Sequence, residues 1–253
     1  MKKDRKKHKS DKNSTVKTER VPTGIPNFDA LIEGGLVKNS TNLLMGGSGT
    51  GKSIFAIQFL IEGMQKGEKC LYVTFEESKS EVYHNMLRFG WNLEEYEKKG
   101  MLEFLEYAPE KVKMMLDEGG GSIENLIVKR KITRIVIDSI TSFELLFNNE
   151  TEKREASLNL FNMISAWSCT ALLTYEGSTI KDEPLDQKAL EFESDSIILL
   201  YYLRKKDERE RFIEVLKMRG TEHSKHIYKF DITKKGIVID NNPYKGESLR
   251  KLF

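Results

Sequence analysis

The residues Gly46-Gly47-Ser48-Gly49-Thr50-Gly51-Lys52-Ser53 place glycines, an amine and a hydroxyl at a spacing suited to a polyphosphate, Gly-x4-Gly-Lys-Ser. Glycines let consecutive backbone N–H groups converge on an anion, and a helix starting near Lys52 adds the positive end of its dipole. In such a cradle Lys52 neutralises the β- and γ-phosphates, the Ser53 hydroxyl coordinates Mg²⁺, and Ile54 carries the helix onward beside the ligand. The context the motif requires is present. Apolar Thr41–Met45 reads as a short strand before it, and Phe55, Phe59 and Ile61–Met64 recur at helical spacing after it, closed by Gly67.

Two further sets of carboxylates have matching positions. Asp138 ends the run Arg134-Ile-Val-Ile, which reads as a central parallel strand whose carboxyl end faces a ligand crevice, so Asp138 supplies a second group for the Mg²⁺ shell. Glu76-Glu77 follow the strand Lys69–Phe75 at the same edge, where hydrolysis needs a carboxylate beside the γ-phosphate to orient or deprotonate water. On an extended segment adjacent side chains point opposite ways, so only one of the pair is expected to face the phosphate.

The elements that must position these groups follow from periodicity and turn residues. Strands are predicted at 41–45, 69–75, 101–105, 134–138, 170–175, 196–202, 212–218, 227–232 and 236–240. Helices are predicted at 53–65, 80–88, 123–129 and 153–168, with a short one at 27–32 and a flexible loop at Gly119–Gly121. Strands alternate with helices early and form hairpins late. That order implies an α/β fold: a mostly parallel central sheet flanked by helices, with an antiparallel edge. No internal repeat is visible, so one domain is expected over 21–241, with a tail at 1–20 and a C-terminal extension at 242–253.

Charge is uneven along the chain. The net charge of +2 over 253 residues conceals a tail with nine Lys or Arg against three Asp or Glu, leaving 32 basic and 36 acidic residues in the remainder. A tail so poor in apolar residues is expected to be disordered, and it suits either a nucleic acid or anionic surface or a plain solubilising role. Cys70 and Cys169 sit in apolar runs, with no CxxC or clustered His, so buried thiols are expected rather than a disulfide or metal site. No apolar run approaches the ~20 residues that span a bilayer, and no secretory signal is visible. These features point to a cytoplasmic protein.

Several segments in order then resemble the KaiC family of RecA-like ATPases: Val21-Pro-Thr-Gly-Ile-Pro-Asn-Phe-Asp29, the phosphate loop, Tyr72-Val-Thr-Phe-Glu-Glu77, Arg88-Phe-Gly-Trp91, Ile137-Asp-Ser-Ile-Thr-Ser142, Glu191-Phe-Glu-Ser-Asp195 and Lys217-Met-Arg-Gly-Thr-Glu-His223. The resemblance runs from about residue 21 to 240. It implies ATP with Mg²⁺ as cofactors and paired glutamates that activate water, with Glu76 as base and Glu77 in support. It also implies a nucleotide lying between subunits of a homo-oligomeric, hexameric ring. Lys217, Met218, Arg219, Thr221 and His223 would then border a neighbour's nucleotide, with Lys217 and Arg219 acting in trans. From the residues alone, Lys217 and Arg219 could in principle act within one chain. Arg88 falls where similar proteins line the base pocket, and Trp91 reads as packing.

Departures from the family pattern also carry meaning. Clock-type KaiC proteins join two such domains where this chain has one, and Glu191-Phe192 replaces the Ser-Thr pair of their autokinase half, so autophosphorylation of that type is not expected. The leading expectation is an ATP hydrolase acting as a regulatory or signalling switch. A DNA-associated motor or recombinase, and a nucleotide-gated scaffold with very slow turnover, are the alternatives.

Overall fold

The structure is a computed structural model, and it describes residues 18–108, 111, 121–177, 193–205 and 207–246. Gly119, Gly120, Glu191 and Phe192, and the charge-dense part of the tail, lie outside the described residues.

A two-stranded ribbon, β1 (Arg20–Val21) with β2 (Leu36–Val37), opens the chain and encloses a 3₁₀ turn at Asp29–Ile32. Then follow β3 (Thr41–Gly46), α1 (Lys52–Gln65), β4 (Lys69–Thr74), α2 (Lys79–Leu87), α3 (Leu93–Lys98) and β5 (Leu102–Glu106). After these come α4 (Gly121–Arg130), β6 (Ile132–Asp138), α5 (Ile140–Glu144), α6 (Glu150–Ala166) and β7 (Thr170–Glu176). Four strands close the described chain: β8 (Ser196–Lys205), β9 (Glu208–Met218), β10 (Tyr228–Thr233) and β11 (Gly236–Pro243).

Among the described residues the main sheet has the order β11-β10-β9-β8-β3-β7-β6-β4-β5. Strands β5, β4, β6, β7, β3 and β8 run parallel, and β9, β10 and β11 alternate in direction. The expected mostly parallel sheet with an antiparallel edge is therefore the architecture found. Central strands are apolar on both faces because both are covered. One face packs Phe55, Phe59 and Met64 of α1 with Phe28, Trp91 and Ile239, and the other packs Ile123, Phe143, Leu160 and Phe161 of α4, α5 and α6.

Boundaries moved for identifiable reasons. The side chain of Asn149 accepts from the Glu152 backbone N–H at 2.9 Å, starting α6 earlier than expected. Asn92 caps Glu95 in the same way and nucleates α3, which alternation of apolar residues did not reveal. Ser78 and Glu81 form a reciprocal capping box on α2. The tail and extension boundaries need correcting too. Arg20 is paired in β1 and its guanidinium meets Glu33 at 2.5 Å, so order begins before residue 21, and β11 carries it past 241 to Pro243. Gly121 belongs to α4 rather than to a loop. Cys70 and Cys169 are buried free thiols, and none of the described helices is long and apolar enough to cross a membrane.

Arg134 of β6 is 1% exposed and is held on all sides. Its Nε and Nη2 engage Glu68 at 3.0 and 2.5 Å, while Nη1 donates to the carbonyls of Pro22 and Phe59 at 2.8 and 2.9 Å. One guanidinium thus fastens the lead-in segment, α1 and the start of β4 to the central sheet. Arg134→Ala removes the cation and leaves a carboxylate and two carbonyls without their donor. It should cost about 3–5 kcal/mol in chemical denaturation; a loss under about 1 kcal/mol would show that solvent replaces the guanidinium.

Candidate functional site

Parallel strands end at a common edge, and the chemistry gathers there. A cleft of ≈ 510 Å³ is lined by Ser48, Gly49, Gly51, Lys52, Ser53, Ile54, Glu76, Glu77, Arg88 and Asp138, together with Glu176 and Arg211. Gly47 and Thr50 complete the loop, with the Thr50 hydroxyl donating to the Gly47 carbonyl at 2.9 Å. Glycine is required at the end of β3 and in the loop, where Gly49 has φ +74°. Gly51 starts α1 at φ +103°, in the left-handed region, and a Cβ on Gly46 would meet the Leu200 carbonyl oxygen at 2.7 Å.

Lys52 is buried, and its Nζ donates to the carbonyls of Gly46 and Gly47 at 2.9 and 3.0 Å. Burial depresses its pKa, while Glu176 (3.9 Å from Nζ), Asp138 and Glu76 pull it back up. Such a desolvated cation gains most from an anion brought close to it.

Asp138 is the best-anchored carboxylate of the cleft. Its Oδ2 accepts from the Tyr72 hydroxyl at 2.7 Å and its Oδ1 from the Thr174 hydroxyl. Tyr72 is fully buried, and burial together with the adjacent Asp138 charge raises its pKa well above the usual range, so it stays a donor. The carboxylate remains an acceptor whose orientation is fixed, as a metal-shell oxygen requires.

Glu76 and Glu77 both line the cleft. The strand ends at Thr74, and alternation ends with it. The Thr74 hydroxyl accepts from the backbone N–H groups of Glu76 and Glu77 at 3.3 and 3.2 Å and donates to the Glu77 carbonyl at 3.1 Å, folding the pair back over the strand end. Oε1 of Glu76 accepts from Ser139 at 2.8 Å and also from Ser142. Glu77 has its pKa raised, first by burial and then by Asp138, Glu81 and Glu76.

Arg88 caps α2 with its guanidinium 5.1 Å above the Phe89 ring, while Trp91 is buried against Phe89. Glycine, lysine, hydroxyl, fixed carboxylate and open polar cleft together fit a nucleoside triphosphate with its cation.

Lys217, Met218, Arg219, Thr221 and His223 are not brought to this cleft. Met218 pairs with Ser196, and Ser196 with Asn42, four residues before Gly46 in β3. That is about 13 Å back along the strand. Lys217 Nζ donates to the Ser194 carbonyl at 2.7 Å, and Arg219 approaches Asp195 at 3.6 Å. Thr221 accepts from Arg20 at 2.6 Å and His223 Nδ1 lies 3.0 Å from the Ser224 carbonyl. Met218 and Arg219 line a separate recess of ≈ 380 Å³ with Asp195 and Gly220. Lys217 and Arg219 thus stand away from their own chain's phosphate loop.

The comparisons agree with this architecture. A family model described as "ATPase: KaiC" matches residues 21–244. The chain belongs to the KaiC family. A circadian clock protein KaiC3 of Synechocystis is 36% identical over 232 residues, covering 87% of this chain and 45% of that protein. A UPF0273 protein of Pyrococcus horikoshii is 34% identical over 235 residues, covering 88% of this chain and 94% of the relative. A KaiC-like protein of the same archaeon, solved by crystallography, superposes with a TM-score of 0.77 at 35% identity, over 88% of this chain and 100% of its own. The chain therefore spans about half the length of the KaiC clock proteins and nearly all of the UPF0273 relatives. Membership makes it an ATP-binding, RecA-like P-loop ATPase domain.

Sequence reasoning missed several groups of this KaiC-family site. Arg211 of β9 lies opposite Tyr202 of β8, with its guanidinium 4.1 Å from that ring, and Nη2 donates to the Gly49 carbonyl at 3.2 Å. Its signal was the alternation Arg209-Glu210-Arg211, which puts both arginines on one face. Glu176, Tyr72 and Thr174 had no local signal, because their roles depend on which strands are neighbours.

Because the folded-state pKa of Glu77 is raised, the native protein binds this proton more readily than the unfolded chain. Its contribution to stability falls as pH climbs from the usual 4.5 through the raised value. Glu77→Gln should thus melt above the parent at pH 8, with the gap closing towards pH 4. A glutamine variant that melts below the parent at pH 8 would contradict this reading.

Proposed function

We propose that this chain hydrolyses ATP at a site that a second copy completes, in a ring that is expected to be hexameric, and that it serves as a regulatory switch. The observation that carries the proposal is the separation of its parts. The phosphate loop and four carboxylates stand at one end of the sheet, and Lys217 and Arg219 stand at the other. A neighbour presenting its Lys217–His223 segment to this cleft would add positive charge to that of Lys52, Arg88 and Arg211 for the developing phosphoryl charge.

The roles within one chain follow from the contacts. Backbone N–H groups of the loop and Lys52 hold the phosphates, and Arg211 and Arg88 flank them. Ser53 and Asp138 would hold Mg²⁺, which would supply neutralisation of phosphate charge when bound. Ser139 and Ser142 fix Oε1 of Glu76, orienting the carboxylate that takes the proton from the attacking water. Glu77, with its raised proton affinity, supports it. Relatives named as circadian clock proteins support a regulatory setting. The absence of a Ser-Thr pair at Glu191-Phe192 supports hydrolysis without stable self-phosphorylation.

Glu76→Gln preserves size and the contacts from Ser139 and Ser142 while removing the base. Turnover should fall by about 10²–10⁴-fold, as expected for loss of a general base, with MgATP affinity retained by equilibrium dialysis. Undiminished hydrolysis in this variant would remove Glu76 as the base.

A further inference from the structure

The segment proposed to reach a neighbour is held by its own chain in an unusual way. It leaves β9 at Met218, and the Arg219 backbone N–H donates to the Asp195 carbonyl at 2.8 Å. Gly220 then turns at φ +64°, and a side chain built there would meet nothing within 4 Å. Beside these contacts the turn has a tie from 200 residues earlier in the chain. Arg20 Nη1 donates to the Thr221 hydroxyl at 2.6 Å, and Nη2 donates to the Gly220 carbonyl at 3.3 Å.

Arg20 is well placed to act as a clamp. It is pinned in β1 by antiparallel pairing with Val37. Its guanidinium is largely shielded, with the side chain 14% exposed, and is oriented by Glu33 at 2.5 Å. Nη2 thus divides its N–H groups between the Glu33 carboxylate and the Gly220 carbonyl while Nη1 goes to Thr221, a geometry that a lysine point charge does not reproduce. A second tie runs from the Ser224 backbone N–H to the Leu31 carbonyl at 2.9 Å, so the lead-in ribbon supports the turn from both ends.

From this geometry we infer that Arg20 is a positioning residue for the neighbour's phosphate site, holding the Gly220–Thr221 turn so that Arg219 is presented at a fixed angle to the next subunit's cleft. The inference rests on completion of the site by a second copy. Arg20 touches no reacting atom; it acts through Arg219 and Thr221. A small misplacement of a charged group in a transition-state site lowers turnover by up to about 100-fold. Arg20→Ala should accordingly lower turnover at saturating MgATP by roughly ten- to a hundred-fold while leaving MgATP affinity in the same chain's cleft near the parent value.

Mixed assemblies test this directly. Lys52→Ala chains, which cannot hold phosphates but retain an intact Lys217–His223 segment, are co-assembled with Arg20→Ala chains and, separately, with Arg219→Ala chains. If the inference holds, both mixtures hydrolyse ATP faster than the sum of their separate parts, because the cleft of the second chain now meets an undisturbed neighbour. A purely structural role for Arg20 would weaken its own chain and would not be rescued by a partner. Rescue of Arg219→Ala without rescue of Arg20→Ala overturns the clamp and leaves the shared site standing, as does parent-like turnover in Arg20→Ala alone. Failure of the Arg219→Ala mixture overturns the shared site and the clamp with it. Should Arg20→Ala not fold, Arg20→Lys, which keeps the charge opposite Glu33, goes through the same mixtures with the same outcomes deciding.

Discussion

Strand direction is the constraint on which the rest of this molecule depends. In β3, β4, β6 and β7 the chain runs towards one edge, so whatever follows each strand is delivered there: the phosphate loop after β3, Glu76-Glu77 after β4, Asp138 ending β6 and Glu176 ending β7. Strand β9 runs the other way against β8, so the residues that follow it are delivered to the opposite edge. Its beginning, by contrast, lies near the loop, which is why Arg211 reaches Gly49 and Arg219 does not. One topological fact thus separates the cations of β9 and the turn after it, with Arg211 at this chain's cleft and Lys217 and Arg219 away from it.

Around Lys52 the same convergence creates an electrostatic imbalance. Glu76, Glu77, Asp138 and Glu176 enclose a lysine that burial has already made reluctant to stay charged. Hydroxyl donors relieve part of the repulsion, from Tyr72 and Thr174 to Asp138 and from Ser139 and Ser142 to Glu76. Glu77 accepts no comparable donor in the contacts described, and its proton affinity rises accordingly. A cleft with four carboxylates beside Lys52, Arg88 and Arg211 suits a ligand that arrives with cations.

Much of this was legible in the residues, and the reason differs from group to group. Gly46–Ser53 and Asp138 could be read because their roles are local, a turn after a strand and an acid at a strand's end. The pair Glu76-Glu77 was located, but the fold-back that the Thr74 hydroxyl imposes on it was not, because alternation holds only as far as the strand. Arg211 was missed because its value comes from Tyr202 across a ladder whose register no single segment encodes. Arg20 was assigned to a tail on charge density, and only the fold brings it to a turn two hundred residues later. The Lys217–His223 segment was found through resemblance, but its distance from the cleft required the direction of β9.

The central claim is that the phosphate site is shared between copies, and turnover per chain as a function of protein concentration, followed together with particle mass under MgATP, tests it most directly. A shared site predicts that specific activity rises with concentration in step with assembly and vanishes where the particle has the mass of one chain. Constant specific activity down to concentrations at which only single chains are present would contradict the account.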